Sequence, residues 1–199
     1  MKRAIKISFD SPVTLVFAIT AFIVQVVETN FQLGLTLQFF SRSGSMTWND
    51  PWEYLRLFSH SIGHADYEHL LGNLFVILLL GPVLEARYGE KKILGALLLT
   101  ALSSSLIQLL LFRGAINGAS GIVLLYIILV SAVNLKKGSI PLSFILVFLI
   151  FIGGEGLRAF QTDGISQIAH IIGGVCGALF LLFTGGKGHD SEENKKHLF

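Results

Sequence analysis

Long apolar blocks separated by short polar breaks constrain this chain more than any other feature. Six such blocks run at about 11–27, 66–86, 92–112, 118–135, 140–154 and 165–185. About 20 apolar residues are enough for a helix to span the hydrocarbon core of a bilayer. Charged residues make up only 14% of the chain, against about 25% in typical soluble domains. The sequence therefore predicts an all-α integral membrane protein with six transmembrane helices.

The polar segments fit a single membrane domain over residues 1–199, with a core at about 11–185 and a polar cytoplasmic tail at 186–199. Residues 28–65 lie between the first two blocks and mix polar with aromatic side chains. The aromatic ones are Phe31, Phe39, Phe40, Trp48, Trp52, Tyr54 and Phe58. Such segments favour the membrane interface. We therefore expect a partly helical interfacial loop between helices 1 and 2.

Lysine and arginine predict the orientation of the six spans. With a cytoplasmic N-terminus, eleven of these residues fall on the cytoplasmic side and four on the other. This asymmetry favours six spans with both termini in the cytoplasm. The first block is followed by no small-residue cleavage site, so we expect a retained helix rather than a signal peptide. A form with only six spans is typical of a prokaryotic cytoplasmic membrane protein. No basic patch indicates a nucleic-acid partner.

The fourth block opens with Gly118-Ala119-Ser120-Gly121. A serine hydroxyl is a nucleophile when a base activates it, and the glycines permit a tight backbone beside it. If Ser120 begins a helix, its own N–H can donate to an oxyanion. Small residues at this spacing also suit plain helix–helix contact, which is the competing interpretation.

Three further polar residues lie inside apolar blocks, where polar groups are costly and often functional. His69 and Asn73 are four apart, so they share a helix face and can both donate hydrogen bonds. His170 lies one turn before Gly173, and Gly177 follows four residues later. Each of these polar groups also fits a structural helix–helix hydrogen bond. No histidine pattern indicates a metal site, and no cofactor is expected.

Together these motifs resemble the rhomboid intramembrane serine proteases over almost the whole chain. The motifs are His64, His69 and Asn73 in the second span, Glu85-x-Arg87-x-Gly89 at its end, Gly118-x-Ser120-Gly121 in the fourth span, Ala169-His170-x-x-Gly173-x-x-x-Gly177 in the sixth, and Arg56 in the loop. The resemblance implies a six-helix rhomboid-like bundle. It also implies a serine endopeptidase that cuts transmembrane protein substrates within the lipid bilayer.

The resemblance also implies a role for each motif residue. Ser120 is then the nucleophile and His170 the base. The oxyanion hole is formed by His69, Asn73 and the Ser120 N–H, while Gly118 and Gly121 shape the serine loop. The structural residues are His64, Glu85, Arg87, Gly173 and Gly177.

Two positions depart from the family pattern. Leu55 precedes Arg56 where the family has tryptophan, and Leu124 stands where a tyrosine often packs against the histidine ring. The main alternative is a rhomboid-like pseudoprotease that binds transmembrane helices without cutting them. A transporter or channel is less favoured because the chain has no internal repeat. Gln108, in the third block, fits either a water-accessible cavity or a helix–helix hydrogen bond.

Overall fold

The computed structural model describes residues 9–134, 142, 145–146, 149–150, 153–154 and 165–184. In chain order, the elements are α1 (Pro12–Phe31), α2 (Leu35–Phe39), β1 (Arg42–Ser43), α3 (Pro51–Ser59), α4 (Tyr67–Tyr88), α5 (Glu90–Leu111), β2 (Ala115–Ile116), α6 (Ser120–Asn134) and α7 (Ile165–Thr184). Helices account for most of this part of the chain, as the apolar blocks predict.

Three of the described helices, α1, α4 and α5, are long and apolar enough to cross a membrane. Helices α6 and α7 contain shorter apolar stretches, Ser120–Val130 and Ile171–Phe180. The mostly helical membrane architecture is thus confirmed. Six spans stay a prediction, because most of the fifth apolar block, 140–154, lies outside the described residues.

Local signals account for where the helices begin and end. Asp50 caps α3 by accepting a hydrogen bond from the Trp52 amide at 3.0 Å. Asp66 caps α4 in the same way, accepting from the His69 amide at 2.7 Å. Side-chain oxygens at this position satisfy helix N–H groups that have no partner within the helix. Gly89, with a φ of +82°, separates α4 from α5 because few other residues adopt that conformation without strain.

Helix α6 lies at the centre of the described bundle. Residues 122–127 and Leu129 are all almost fully buried, so the helix is covered on every side. A helix that is apolar all round is one that the protein buries. Helix α7 packs along both α5 and α6, while α4 packs against α1 and α6. The first residue of α6 is therefore held by neighbours on several sides.

The end of the bundle that contains Glu85, here called the Glu85 end, ties α1 to α4. The Glu85 carboxylate accepts hydrogen bonds from the Val13 amide at 3.1 Å and the Thr14 amide at 2.6 Å. The Thr14 hydroxyl lies 3.4 Å from the hydroxyl of Tyr126, which is fully buried in α6. A carboxylate at a helix N-terminus is favourable both as a cap and through the helix dipole. Arg87 packs over the ring of Tyr88, 5.6 Å from its centroid.

The segment 28–65 folds into short elements rather than one span. It contains the last residues of α1, then α2, β1 and α3. Helix α1 runs to Phe31, four residues past the end of its apolar block, because polar residues stop the hydropathy pattern without stopping the helix. Strand β1 pairs antiparallel with β2, which directly precedes the serine loop. The location of this segment at a membrane interface stays a prediction.

Candidate active site

The serine loop, Asn117–Ser120, leads from β2 into α6. Gly118 has a φ of +107°, in a region that side chains disfavour. Its amide donates to the carbonyl oxygen of His60 at 2.9 Å. Helix α6 then begins at Ser120, which meets the condition for its N–H to be free of an intrahelical partner, and Ser120 is only 1% exposed. The loop thus holds a buried serine at the start of a buried helix.

His64 supports the serine loop by a hydrogen bond to its backbone. Its Nε2 accepts a hydrogen bond from the Ala119 amide at 3.4 Å, and its Nδ1 lies 3.0 Å from the carbonyl oxygen of Ile62. These partners assign the proton of the neutral ring to Nδ1, because Nε2 must accept. Burial lowers the pKa of His64 to about 3, so the ring is neutral at physiological pH. A neutral ring whose two nitrogens both contact backbone is a support for the loop.

His60 anchors the same region to α5. Its Nδ1 lies 3.2 Å from the Arg56 carbonyl oxygen and 3.2 Å from the hydroxyl of Ser105. The Ser105 hydroxyl also donates to the carbonyl oxygen of Leu57 at 2.9 Å. Burial lowers the pKa of His60 to about 4. The carbonyl of His60 therefore reaches the Gly118 amide from a residue that is itself fixed on α3 and α5.

His69 lies on α4 beside the serine loop, and Asn73 follows it on the same helix. A Cβ added to Gly118 would come within 2.7 Å of His69 Cε1 and 3.0 Å of its Nε2, so the imidazole packs directly on this glycine. The rings of His69 and His64 meet edge to face, with centroids 5.1 Å apart. Asn73, one turn further along α4, is 5% exposed. Among the described residues its Nδ2 has no hydrogen-bond partner, so this donor is buried and unused.

Three glycines bring α7 against its neighbours. Gly173 and Gly177 face α5: a Cβ on Gly173 would come 2.7 Å from the carbonyl oxygen of Thr100, and one on Gly177 would come 3.1 Å from that of Ala96. Gly174 is the residue that approaches α6. A Cβ there would lie 2.7 Å from the carbonyl oxygen of Gly121 and 3.0 Å from Leu124 Cβ.

The structure also shows what Leu124 and Leu55, which depart from the family pattern, contact. It does the same for Gln108, for which the sequence left two interpretations. Leu124 is 1% exposed and packs on Gly174. Gln108 is fully buried and donates from Nε2 to the Gly114 carbonyl oxygen at 2.7 Å. It therefore fastens the connection between α5 and β2. Leu55 lines an apolar groove between α1 and α5.

His170 belongs to α7, one turn before Gly174, and its backbone lies on the same helix face. The placement of its imidazole lies outside what the structure describes. The described contacts therefore bring the rings of His64 and His69 against the loop that ends at Ser120, and Asn73 lies one turn beyond His69 on α4. Sequence reasoning missed the buried Arg42, because this residue belongs to no motif with a known spacing.

Comparison with known proteins identifies the family of the chain. A family model described as Rhomboid domain matches residues 51–187, which include α3 to α7. Rhomboid-related protein 1 of Caenorhabditis elegans is 33% identical over 139 residues, covering 64% of this chain and 39% of that protein. The chain thus spans about two fifths of the length of this curated relative. Because the family model matches well over half of the sequence, the chain belongs to the rhomboid family.

Proposed function

We propose that the chain is an intramembrane serine endopeptidase that hydrolyses peptide bonds in or near transmembrane segments of other proteins. Ser120 is the nucleophile and His170 the general base. The observation that carries the proposal is the serine loop: a buried serine begins α6 after a glycine at positive φ, and the rings of His64 and His69 pack around it. Membership in the rhomboid family supports the same chemistry.

Helix register supports the pairing of Ser120 with His170. Gly174 contacts Gly121 and Leu124, and Gly177 contacts Leu125, so α6 and α7 run in the same direction. One turn back from Gly174 along α7 therefore corresponds to one turn back along α6, at the level of Ser120. His170 occupies that position on the face shared with Gly174. We propose a direct hydrogen bond between the His170 imidazole and the Ser120 hydroxyl.

The proposed reaction passes through an acyl-enzyme. Neutral His170 takes the proton of Ser120 while Oγ bonds to the carbonyl carbon of the scissile peptide. The C–N bond then breaks, and the imidazolium gives its proton to the leaving amine. Water attacks the resulting ester with His170 again acting as base, which releases a carboxylic acid and restores the serine. No acidic residue is assigned to orient the histidine, so packing on α6 must fix its ring.

The oxyanion hole is proposed to consist of Asn73 Nδ2, the His69 ring and the Ser120 N–H. The amides of Gly118 and Ala119 already donate to His60 and His64, so they are engaged in holding the loop. Asn73 offers a buried donor with no partner among the described residues. Such a donor is costly in the resting protein and gains a partner when negative charge develops on the substrate oxygen.

We propose a multi-pass membrane location with six spans and both termini in the cytoplasm, in the cytoplasmic membrane of a prokaryote. The polar groups of the site then lie toward the non-cytoplasmic face, where water can reach them. The substrates are transmembrane helices that unwind locally, because an intact helix hides its carbonyl groups from attack. The alternative function is a pseudoprotease that binds such helices without cutting them.

Cleavage of a purified single-span substrate in proteoliposomes tests the proposal. The parent protein is expected to cut the substrate within or near its span, and Ser120→Ala is expected to cut none. Ser103→Ala, which changes a partly buried serine of α5 outside the site, serves as the matched control. Substrate binding without cleavage by a folded parent protein would favour the pseudoprotease. Cleavage by Ser120→Ala at the parent rate would remove Ser120 from the mechanism.

A further inference from the structure

A fully buried arginine lies in the loop region next to the serine loop. Arg42, the first residue of β1, is 0% exposed. Its Nη1 donates to Glu53 Oε2 at 2.6 Å and to the carbonyl oxygen of Ser45 at 2.8 Å. Among the described residues its Nε and Nη2 have no partner. A buried charge of this kind is retained only when its counter-ion is held in place, because removing one partner leaves the other uncompensated.

The counter-ion is held on α3 by a second arginine. Glu53 Oε1 lies 3.0 Å from Arg56 Nη1, so the carboxylate bridges two guanidinium groups. Arg56 also donates from Nε to the carbonyl oxygen of Gln38 at 2.7 Å and lies 3.5 Å from Asp50. The cluster therefore joins the end of α2, the cap of α3 and β1 through charged hydrogen bonds, which are stronger than neutral ones.

Strand β1 passes this restraint to the chain that precedes Ser120. Arg42 pairs with Ile116, and Ser43 pairs with Ala115. Gly44 lies so close to the α5–β2 connection that an added Cβ would come 2.6 Å from Arg113 Cα. Ile116 is fully buried and only two residues before Gly118, whose positive φ sets the turn into α6. A shift of β1 would thus move the serine loop directly.

We propose that Arg42 is a positioning residue for Ser120: its ion pair with Glu53 locks β1 onto α3, and β1 holds β2 and the serine loop in register. The inference rests on the proposed function for its activity readout and on the pairing of β1 with β2 for its structural one. In this proposal Arg42 acts through Glu53 and the backbone of β1 rather than on the substrate or on Ser120. Its effect is transmitted through four backbone positions, Arg42, Ser43, Ala115 and Ile116.

The first test is the rate at which a fluorophosphonate labels the purified protein. Arg42→Gln is expected to slow labelling by about 10²-fold, since misplacement of a reactive group by about 1 Å has effects of that size. Arg42→Lys keeps a positive charge beside the Glu53 carboxylate and is expected to recover part of the labelling rate. Arg113→Gln changes an exposed arginine in the α5–β2 connection and is expected to leave the rate unchanged. A folded Arg42→Gln protein labelled at the parent rate would overturn the proposal.

A disulfide between β1 and β2 tests whether Arg42 acts by positioning the serine loop or only by stabilising the whole protein. Ser43 and Ala115 are directly paired, so cysteines at both positions lie within bridging distance. In an Arg42→Gln background with Cys176→Ala, the oxidised bridge is expected to restore labelling, and reduction is expected to abolish the rescue. A bridge that forms without restoring the rate would show that Arg42 does not act through β1.

Hydrogen exchange distinguishes failure of this proposal from failure of the proposed function. Arg42→Gln is expected to raise amide exchange by tenfold or more in a peptide containing residues 115–119, with no change in α4. This readout does not need catalysis. A parent protein that the probe never labels would refute the hydrolase, while the exchange result would still decide the role of Arg42. Unchanged exchange at 115–119 would contradict the positioning role.

Discussion

The N-termini of α1 and α6 show how the free N–H groups at the start of a helix can have different roles. Helix α1 begins at the Glu85 end, where the protein supplies its own carboxylate to the Val13 and Thr14 amides. Helix α6 begins at the opposite end, here called the serine end, with Ser120 and the histidines around its loop. The proposed mechanism brings a transient anion, the substrate oxyanion, to this second N-terminus.

The difference lies in what the polar groups of each end bond to in the resting protein. At the Glu85 end, hydrogen bonds of Thr14 with Glu85 and Tyr126 link α1, α4 and α6. At the serine end, His60 and His64 are committed to the loop, while Asn73 keeps a buried donor with no described partner. Mutations at the Glu85 end should therefore change stability, and those of the catalytic groups at the serine end should change activity.

Loss of the base is expected to give the largest effect. His170→Ala should reduce substrate cleavage by at least about 10²–10⁴-fold, because positioned proton transfer contributes that much. The midpoint of thermal unfolding should change little. His189→Ala, in the polar tail, is the control. A cleavage rate equal to that of the parent would contradict the proposed pairing of Ser120 on α6 with His170 on α7.

Loss of the unused donor is expected to come next. Asn73→Ala should lower the cleavage rate by about 10²–10³-fold, the usual effect of removing one oxyanion donor. Stability should stay the same or rise, because a buried donor without a described partner is removed. Asn30→Ala, at the exposed end of α1, is the control. A less stable variant with unchanged activity would assign Asn73 to packing instead.

Acid is expected to weaken the serine end through its buried histidines. Burial lowers the pKa of His64 to about 3 and that of His60 to about 4, from an ordinary value of about 6.5. The unfolded chain therefore binds more protons below pH 6.5, so stability is complete above that pH and is lost as the pH falls toward 4. Each histidine contributes about 1.4 kcal/mol per pH unit in this window.

The variant His64→Gln isolates that contribution. Its free energy of unfolding should fall less steeply than that of the parent between pH 6.5 and 4, when both are measured by denaturant titration in the same detergent. Identical slopes for variant and parent would show that His64 is not held in its neutral form by the fold.

The smallest effect is expected from a mutation at the Glu85 end, which should change stability but not activity. Glu85→Gln should destabilise the protein by about 1 kcal/mol, because an amide caps α1 without the charge that favours its dipole. The cleavage rate per folded molecule should stay within about twofold of the parent. A large loss of activity at unchanged stability would mean that the two ends are coupled through α4.

The sequence predicted the features that depend on local patterns. Apolar blocks located α1, α4 and α5, and the Gly-Ala-Ser-Gly segment lies where α6 begins. It could not tell which helix each glycine of α7 contacts, because spacing indicates close approach without naming a partner. The burial of Arg42 was equally out of reach, since arginine in a polar loop is usually exposed. The two-residue strands are too short for any alternation to reveal them.

Mass-spectrometric mapping of the fluorophosphonate adduct on the purified protein tests the proposed chemistry most directly. A single adduct is expected on Ser120, formed at a measurable rate by the parent protein and lost in His170→Ala. A folded parent protein that carries no adduct, or one that carries it on another serine at the same rate with and without His170, would contradict the assignment of this serine and histidine as a catalytic pair.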